Sequence, residues 1–201
     1  MGCRFCASTL EGRVRDLTAG EMLGQVTAVN RMLAPEGRRV HNIVLMGSGE
    51  PLDNYENTVK FLHLVNSPER TNISLRNISL STCGLVPQMR DLAKEGLPVT
   101  LSISLHAPND EVRKQLLPWP TPTPSRTCFR RPRICRKDRP PRIFEYALVK
   151  GVNSELRHAD ELASRLRGLR GHVNLIPLNA VRERDLHPPT RADVDAFLRR
   201  L

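Results

Sequence analysis

Cys3 and Cys6 are the residues of this sequence whose type and spacing most directly suggest chemistry. They form a Cys-x-x-Cys pair within "MGCRFCASTLEG". Such a pair can be half of a zinc site, a redox dithiol or a chance occurrence. The other cysteines stand singly and complete no second pair, and no strand precedes Cys3 as a thioredoxin-like dithiol would require. The spacing alone leaves the three interpretations open.

A second group of candidate residues lies where apolar strands are predicted to end. The stretches are polar or rich in glycine, and they include Glu50 and His106: "GSGEP", "STCG", "SLHAP", "VKG" and "IPLN". In parallel α/β folds the carboxyl ends of the strands carry the chemistry. Any one stretch could be only a turn, but five in succession indicate a ligand-binding edge.

The elements that must position these residues alternate as strand, turn and helix. Apolar runs predict five strands, in "NIVLM", "NISLS", "VTLSIS", "IFEYALV" and "HVNLI". Helical spacing predicts helices at 18–33, about 54–65 and 86–95, one opened by Asn109, and two in "SELRHADELASRLRGL" and "TRADVDAFLRRL". Thr18 and Glu21 are spaced as a capping box, and Gly96 is placed to end a helix. This alternation predicts a parallel sheet with crossover helices, either open or rolled into a barrel.

Composition limits the classes of protein that remain. The chain has 201 residues, 39% of them hydrophobic, which is enough for one large globular domain or two small ones. No apolar run approaches the roughly 18 residues that span a bilayer. The odd number of cysteines, five, favours reduced thiols in a cytoplasmic protein. A formal charge of +10 invites a nucleic-acid partner.

The segment 119–142 interrupts the α/β pattern where a helix is expected. It contains eight Lys or Arg against one Asp, which is most of the excess charge, and its many prolines forbid a long helix. It could be an arginine-rich arm that contacts RNA phosphates, a disordered linker, or a stretch translated out of frame. We favour the frameshift interpretation because regular patterning resumes abruptly at "IFEYALVKG".

The motifs outside that segment resemble those of one family both in residue identity and in their order along the chain. They are "MGCRFCASTLEGRVRDLTAGEMLGQV", "NIVLMGSGEPLDNYENTV", "ISLSTCGLVPQMRDLA", "VTLSISLHAPNDEVRKQLLP", "FEYALVKGVN" and "HVNLIPLN". They are similar to the radical-SAM adenine carbon-2 methyltransferases of ribosomal and transfer RNA, the RlmN type. The resemblance implies an α/β fold, here a partial (β/α) barrel of radical-SAM type that is incomplete at both ends.

The resemblance also implies two cofactors, a [4Fe–4S] cluster and S-adenosylmethionine. Cys3 and Cys6 match the second and third cysteines of the family's Cys-x-x-x-Cys-x-x-Cys cluster motif, whose first cysteine would lie four residues before Cys3. The implied contacts to S-adenosylmethionine are Gly49, Glu50, Ser81, Ser104, Leu105, His106 and Asn179. An alternative for His106 is a core histidine that caps a helix amino terminus.

The implied reaction methylates carbon-2 of an adenine in 23S rRNA and tRNA. One S-adenosylmethionine methylates an enzyme cysteine, a second gives the radical that activates this methyl group, and another cysteine resolves the adduct with RNA. Cys83, Cys128 and Cys135 match neither of these two cysteines, so no catalytic residue is assigned. The implied partners are 23S rRNA, tRNA and an electron donor such as flavodoxin. The protein itself is expected to be cytoplasmic and monomeric, with no membrane contact.

We therefore expect residues 1–201 to be a truncated radical-SAM core domain, with 119–142 replacing an expected helix. Alone it should be poorly stable, bind at most a labile cluster and be inactive. Three alternatives remain: an inactive, pseudogene-like fragment; a basic RNA-binding module that acts through the segment 119–142; and a sister enzyme that methylates adenine carbon-8.

Overall fold

The structure, a computed structural model, describes residues 2–118, 142–169 and 171–201. Within these residues the helices are α1 (Ala19–Leu33), α2 (Tyr55–Asn66), α3 (Val86–Lys94), α4 (Asp110–Leu116), α5 (Leu156–Leu166) and α6 (Arg191–Arg200). The strands are β1 (Ile43–Leu45), β2 (Ile78–Thr82), β3 (Thr100–Ser104), β4 (Arg142–Leu148) and β5 (Gly171–Pro177). The predicted alternation of strands and helices is confirmed.

The five strands form one parallel sheet in the order β1-β2-β3-β4-β5. Parallel strands need crossover connections, and helices supply these between β1 and β2, between β2 and β3, and between β4 and β5. The described part of the sheet is open, with β1 and β5 at its edges. The predicted α/β fold with a partial, unclosed barrel is confirmed, and all five strands point their carboxyl ends the same way.

A large apolar cluster, called here the main core, lies between the sheet and its helices. Its fully buried side chains come from both layers, including Leu62 and Val65 of α2 with Leu80 and Ile103 of the sheet. Burying one such side chain contributes roughly 1.5–3 kcal/mol relative to leaving it exposed. The main core therefore fixes the strands, and through them the position of the strand ends.

The predicted helix caps are present. The Thr18 hydroxyl accepts a hydrogen bond from Glu21 N at 3.2 Å, and Glu21 Oε2 accepts one from Thr18 N at 2.8 Å, which completes the capping box of α1. Asn109 Oδ1 accepts from Val112 N at 2.9 Å and caps α4. Gly96 follows α3 with a φ of 72°, a left-handed conformation that glycine adopts without strain.

The remaining differences from the predictions are small. Helix α2 begins at Tyr55, with Asn54 at its N-cap position, and β1 ends at Leu45 instead of Met46. Of the proline- and arginine-rich segment, residues 119–141 lie outside the described residues, so its three interpretations remain open. In the described ranges, no helix combines the length and the apolar character needed to cross a membrane.

Candidate cofactor-binding site

Residues 3–9, called here the cysteine loop, form a compact turn that carries both candidate metal ligands. Cys6 N donates to Cys3 O at 3.2 Å, and the chain continues into a short 3₁₀ helix, Ala7–Thr9. The Thr9 hydroxyl lies 2.9 Å from Cys3 O and 2.8 Å from Cys6 O. Both thiols are free of disulfide bonds.

The cysteine loop packs across the carboxyl edge of the sheet. The Phe5 ring meets the His106 ring edge-on with centroids 4.7 Å apart, and the Ser8 hydroxyl lies 3.3 Å from that of Ser48, which follows β1. Cys3 is buried in a second, smaller cluster, called here the thiol cluster, with Cys83, Leu116, Leu117, Val149 and Leu178. The loop thus contacts residues that follow β1 and β3, and through Cys3 it shares the thiol cluster with residues that follow β2, β4 and β5.

Glu50 is held in a fixed position between two of these strand ends. Its Oε2 accepts a hydrogen bond from Cys83 N at 2.7 Å, and its Oε1 accepts one from Leu52 N at 3.0 Å. Each carboxylate oxygen has two lone pairs, so acceptor capacity is left for a ligand. Gly49 precedes it with a φ of 117° and an exposed backbone. The predicted contact of this loop with a cofactor remains a prediction.

The other predicted contacts lie at the same edge but differ in what they can offer. The hydroxyls of Ser81 and Ser104 are 3.2 Å apart and bridge β2 to β3. Leu105 is fully buried, and its N–H and C=O already bond to Glu145 O and Arg113 Nε. Asn179 is exposed just beyond β5. The serines and Asn179 therefore offer polar side-chain atoms to a ligand, whereas Leu105 offers only apolar surface.

His106 is buried in a left-handed conformation, with a φ of 58°. Its Nδ1 accepts a hydrogen bond from Ala147 N at 2.9 Å, so the neutral ring carries its proton on Nε2. Burial lowers its pKa to about 3, and the positive charge of Arg113 acts in the same direction. His106 does not cap α4, which is capped by Asn109, so the capping part of the alternative is wrong, whereas its description as a core histidine agrees with the burial.

Asn153 is a site residue that the sequence analysis missed. It is fully buried, and its Nδ2 donates to His106 O and to Ala147 O, each at 2.7 Å. Its Oδ1 accepts from Val149 N at 2.7 Å. Asn153 therefore holds the turn after β4 against the His106 backbone. A short polar side chain two residues after Gly151, close behind an apolar strand, was the available signal.

Arg113 is the second residue that was missed. It is only 4% exposed, and its Nε donates to Leu105 O at 3.1 Å. Its Nη2 donates to Cys83 O and, at 3.3 Å, to Ser104 O. The signal was a cation at helical spacing from Leu116 and Leu117, on what is otherwise an apolar face.

Burial dominates the electrostatics of the thiols. It raises the pKa of Cys3, the neighbouring Cys6 acts in the same direction, and the positive charge of Arg113 opposes both. Burial likewise raises the pKa of Cys83, and the negative charge of Glu50 adds to that effect. A ligand that binds these sulfurs as thiolates must therefore supply positive charge, as a metal centre does.

The donor set fits part of an iron–sulfur site. Two free thiols on one turn are the soft ligands that such clusters take. Within 2–118, 142–169 and 171–201, no group of three or more Cys, His, Asp or Glu side chains is arranged to hold a metal ion. The described residues thus offer two thiols as candidate ligands, and the assignment of Cys3 and Cys6 to a cluster remains a prediction.

Comparison with known proteins identifies the class to which this site belongs. Residues 1–162 match the Radical SAM superfamily, and the chain belongs to that superfamily. It is 48% identical over 202 residues to a protein of Clostridium perfringens named probable dual-specificity RNA methyltransferase RlmN. It is 46% identical over 202 residues to a protein of the same name from Lachnospira eligens.

The alignments cover 100% of this chain but 57% of either relative, so the chain spans little more than half their length. The crystal structure of a radical SAM methyltransferase from Sphaerobacter thermophilus superimposes with a TM-score of 0.90 at 41% identity. That match covers 100% of this chain and 59% of the other. The predicted resemblance to the RlmN type is confirmed.

Proposed function

We propose that this chain is the core domain of a radical SAM RNA methyltransferase that acts on carbon-2 of an adenine in 23S rRNA and tRNA. The observation that carries the proposal is the position of the cysteine loop, which packs against the carboxyl edge of the sheet. It brings two free thiols beside the polar residues that follow the strands. The names of the similar proteins support the methyltransferase and RNA parts of the proposal.

Cys3 and Cys6 would hold two irons of a [4Fe–4S] cluster, with a third thiolate from the first position of the motif. When bound, the cluster supplies the electron that cleaves the sulfonium of S-adenosylmethionine. The thiol cluster packs Cys3 among Leu116, Val149 and other apolar side chains, and so excludes water from that side. The closed turn of the cysteine loop keeps both sulfurs on one segment that needs little rearrangement.

S-adenosylmethionine would bind along the same edge. Glu50 would accept hydrogen bonds from the ammonium group or a sugar hydroxyl with its remaining lone pairs. The hydroxyls of Ser81 and Ser104, the ring of His106 and the side chain of Asn179 supply further polar contacts, and Gly49 and Leu105 contribute backbone and apolar surface. A neutral His106 would donate from Nε2, since its Nδ1 is occupied by Ala147 N.

A test of the cofactor part uses the chain itself. Anaerobic reconstitution with iron and sulfide should give a labile iron–sulfur chromophore that a Cys3→Ser/Cys6→Ser variant lacks. Electron paramagnetic resonance of the reduced sample should change on addition of S-adenosylmethionine, and a Glu50→Gln variant should weaken that change. A chromophore that survives loss of both cysteines would contradict the assignment.

A test of the reaction uses a chimera, in which this chain replaces the matching region of the Clostridium perfringens relative. We expect 2-methyladenosine in a 23S rRNA transcript, measured by nucleoside mass spectrometry, and none with Cys6→Ser. The product 8-methyladenosine would favour the sister activity, and no methylation would favour the inactive fragment. For the isolated chain we expect no transfer, because Cys83, Cys128 and Cys135 match neither the methyl-carrying nor the resolving cysteine. Flavodoxin serves as the electron donor in the assay.

A further inference from the structure

Arg113 is a buried positive charge whose partners are all neutral. Its guanidinium donates to the carbonyls of Cys83, Ser104 and Leu105. In the part of the chain that the structure describes, it forms no ion pair with a carboxylate. The carbonyls accept from Nε and Nη2 but carry no charge to compensate that of the guanidinium, and an uncompensated buried charge is costly. Such a feature calls for an anion that binds nearby.

The surroundings of Arg113 identify where that anion would bind. Its Cys83 partner belongs to the thiol cluster, together with Cys3. Its helix, α4, also holds the cysteine loop directly, because Arg4 N donates to Leu116 O at 2.9 Å. Arg113 is thus linked to the cysteine loop in two ways, through the Cys83 backbone and through α4.

Glu50 is a carboxylate that shares a partner residue, Cys83, with Arg113. Its carboxylate accepts from the N–H of Cys83, while Arg113 donates to the C=O of the same residue. The carboxylate of Glu50 and the guanidinium of Arg113 thus bind the backbone of the same residue, Cys83. Glu50 therefore orients the Cys83 backbone, and it forms no ion pair with Arg113.

We propose that Arg113 is the permanent counter-charge of the anionic centre that the thiolates of Cys3 and Cys6 form when they bind their metal. The inference rests on the proposed function, in which three thiolates carry more negative charge than the oxidised iron–sulfur core carries positive charge. Three carbonyls at the ends of β2 and β3 hold the guanidinium in place, so its charge is available without rearrangement.

Two metal probes separate this role from a merely structural one. Cu(I) bound by two thiolates gives a centre with net negative charge, whereas Zn²⁺ bound by two thiolates gives a neutral one. Loss of a counter-charge should therefore weaken Cu(I) binding selectively. Loss of loop structure would weaken both metals. Affinities are measured anaerobically on the 201-residue chain by competition with chromophoric chelators, and Cys3→Ser/Cys6→Ser gives the background from other thiols.

Removing Arg113 should cost roughly tenfold or more in Cu(I) affinity, the usual range for groups that support metal ligands. The variant is Arg113→Met, and we expect its Zn²⁺ affinity to change by less than about threefold, because the zinc centre carries no net charge. Arg113→Lys, which keeps the charge, should retain most of the Cu(I) affinity. Lys114→Met removes the same charge from the exposed face of α4 and should change neither metal.

Three outcomes would overturn the proposal. They are unchanged Cu(I) affinity in Arg113→Met, equal losses for both metals, and an Arg113→Lys variant as weak as Arg113→Met. If circular dichroism shows that Arg113→Met is unfolded, Arg113→Gln replaces it, since Gln keeps a donor for the carbonyls. A selective Cu(I) loss in a chain that fails iron–sulfur reconstitution would support the counter-charge and contradict the proposed cluster, so the two ideas fail separately.

Discussion

The main core and the carboxyl edge of the sheet are built from the same strands but by different rules. The main core is a cluster of buried apolar side chains that spans α2, the sheet and α6, with Phe61, Phe144 and Phe197 among its largest members. The carboxyl edge buries polar groups instead, including His106, Arg113 and Asn153. The first arrangement lowers the free energy of the folded chain through apolar burial. The second costs part of the free energy gained by apolar burial, because it holds dipoles and a charge in fixed positions inside the protein.

This contrast explains why hydrogen bonds are concentrated at the edge. Asn153 makes three side-chain hydrogen bonds with backbone groups, and Arg113 donates to three carbonyls. Each buried polar atom left without a partner costs about 1–3 kcal/mol, so these networks are under strong constraint. A substitution at the edge therefore acts on stability through lost hydrogen bonds and charge more than through lost apolar burial.

The largest effect should come from breaking the main core at a point remote from the edge. Phe61 on α2 is 2% exposed, and Phe61→Ala should lower the free energy of unfolding by about 3–5 kcal/mol through lost burial and a residual cavity. Urea denaturation followed by circular dichroism measures the change. Met32→Ala is the control, because Met32 is 76% exposed, and a loss of less than about 0.5 kcal/mol is expected there. Similar losses in both variants would contradict the assigned core.

The next effect concerns the edge and depends on pH. The pKa of His106 in the folded chain is about 3, below its ordinary value of 6.5, so the unfolded chain takes up the proton first. The stability that neutral His106 contributes is complete above pH 6.5 and is lost as the pH falls toward 3. Between about pH 7 and pH 5 the wild-type chain should lose roughly 2 kcal/mol more than His106→Gln.

Chemical denaturation at a series of pH values measures this difference. Gln is chosen because it is polar and has no titrating group, so the variant removes the pH-dependent part of the His106 contribution. His63→Gln on the exposed surface of α2 is the control and should keep the wild-type slope. A wild-type slope in His106→Gln would show that His106 is not the buried neutral group described here.

How much the sequence predicts differs between the same two regions. Apolar periodicity predicts the strands and helices because most buried side chains of the main core recur at regular spacing. The capping box of Thr18 and the N-cap of Asn109 are local signals, and both are confirmed. The order of the five strands, each beside the next in the chain, is not predicted from the sequence, although consecutive strands are often neighbours.

The polar network of the edge is less predictable, since its partners are far apart in the chain. Arg113 bonds to Cys83 thirty residues away, and Asn153 bonds to His106 forty-seven residues away. No local pattern encodes such pairings. The cysteine pair and the strand-end motifs indicate where the site is, but the residues that hold it in place emerge only when the strand ends are brought together.

The smallest effect compares two helix caps, one on each side of this contrast. Thr18→Ala and Asn109→Ala each remove a side-chain acceptor for a backbone N–H and should each cost about 1 kcal/mol of unfolding free energy. Only α4 carries Arg113 and the Leu116 carbonyl that binds the cysteine loop. Asn109→Ala should therefore also lower the Cu(I) affinity at the two cysteines by about two- to threefold, which is much less than the loss expected when a supporting group is removed. Thr18→Ala should leave the Cu(I) affinity unchanged. Equal Cu(I) affinity in the two variants would mean that α4 does not transmit its position to the thiols, because the loss of stability alone is matched between them.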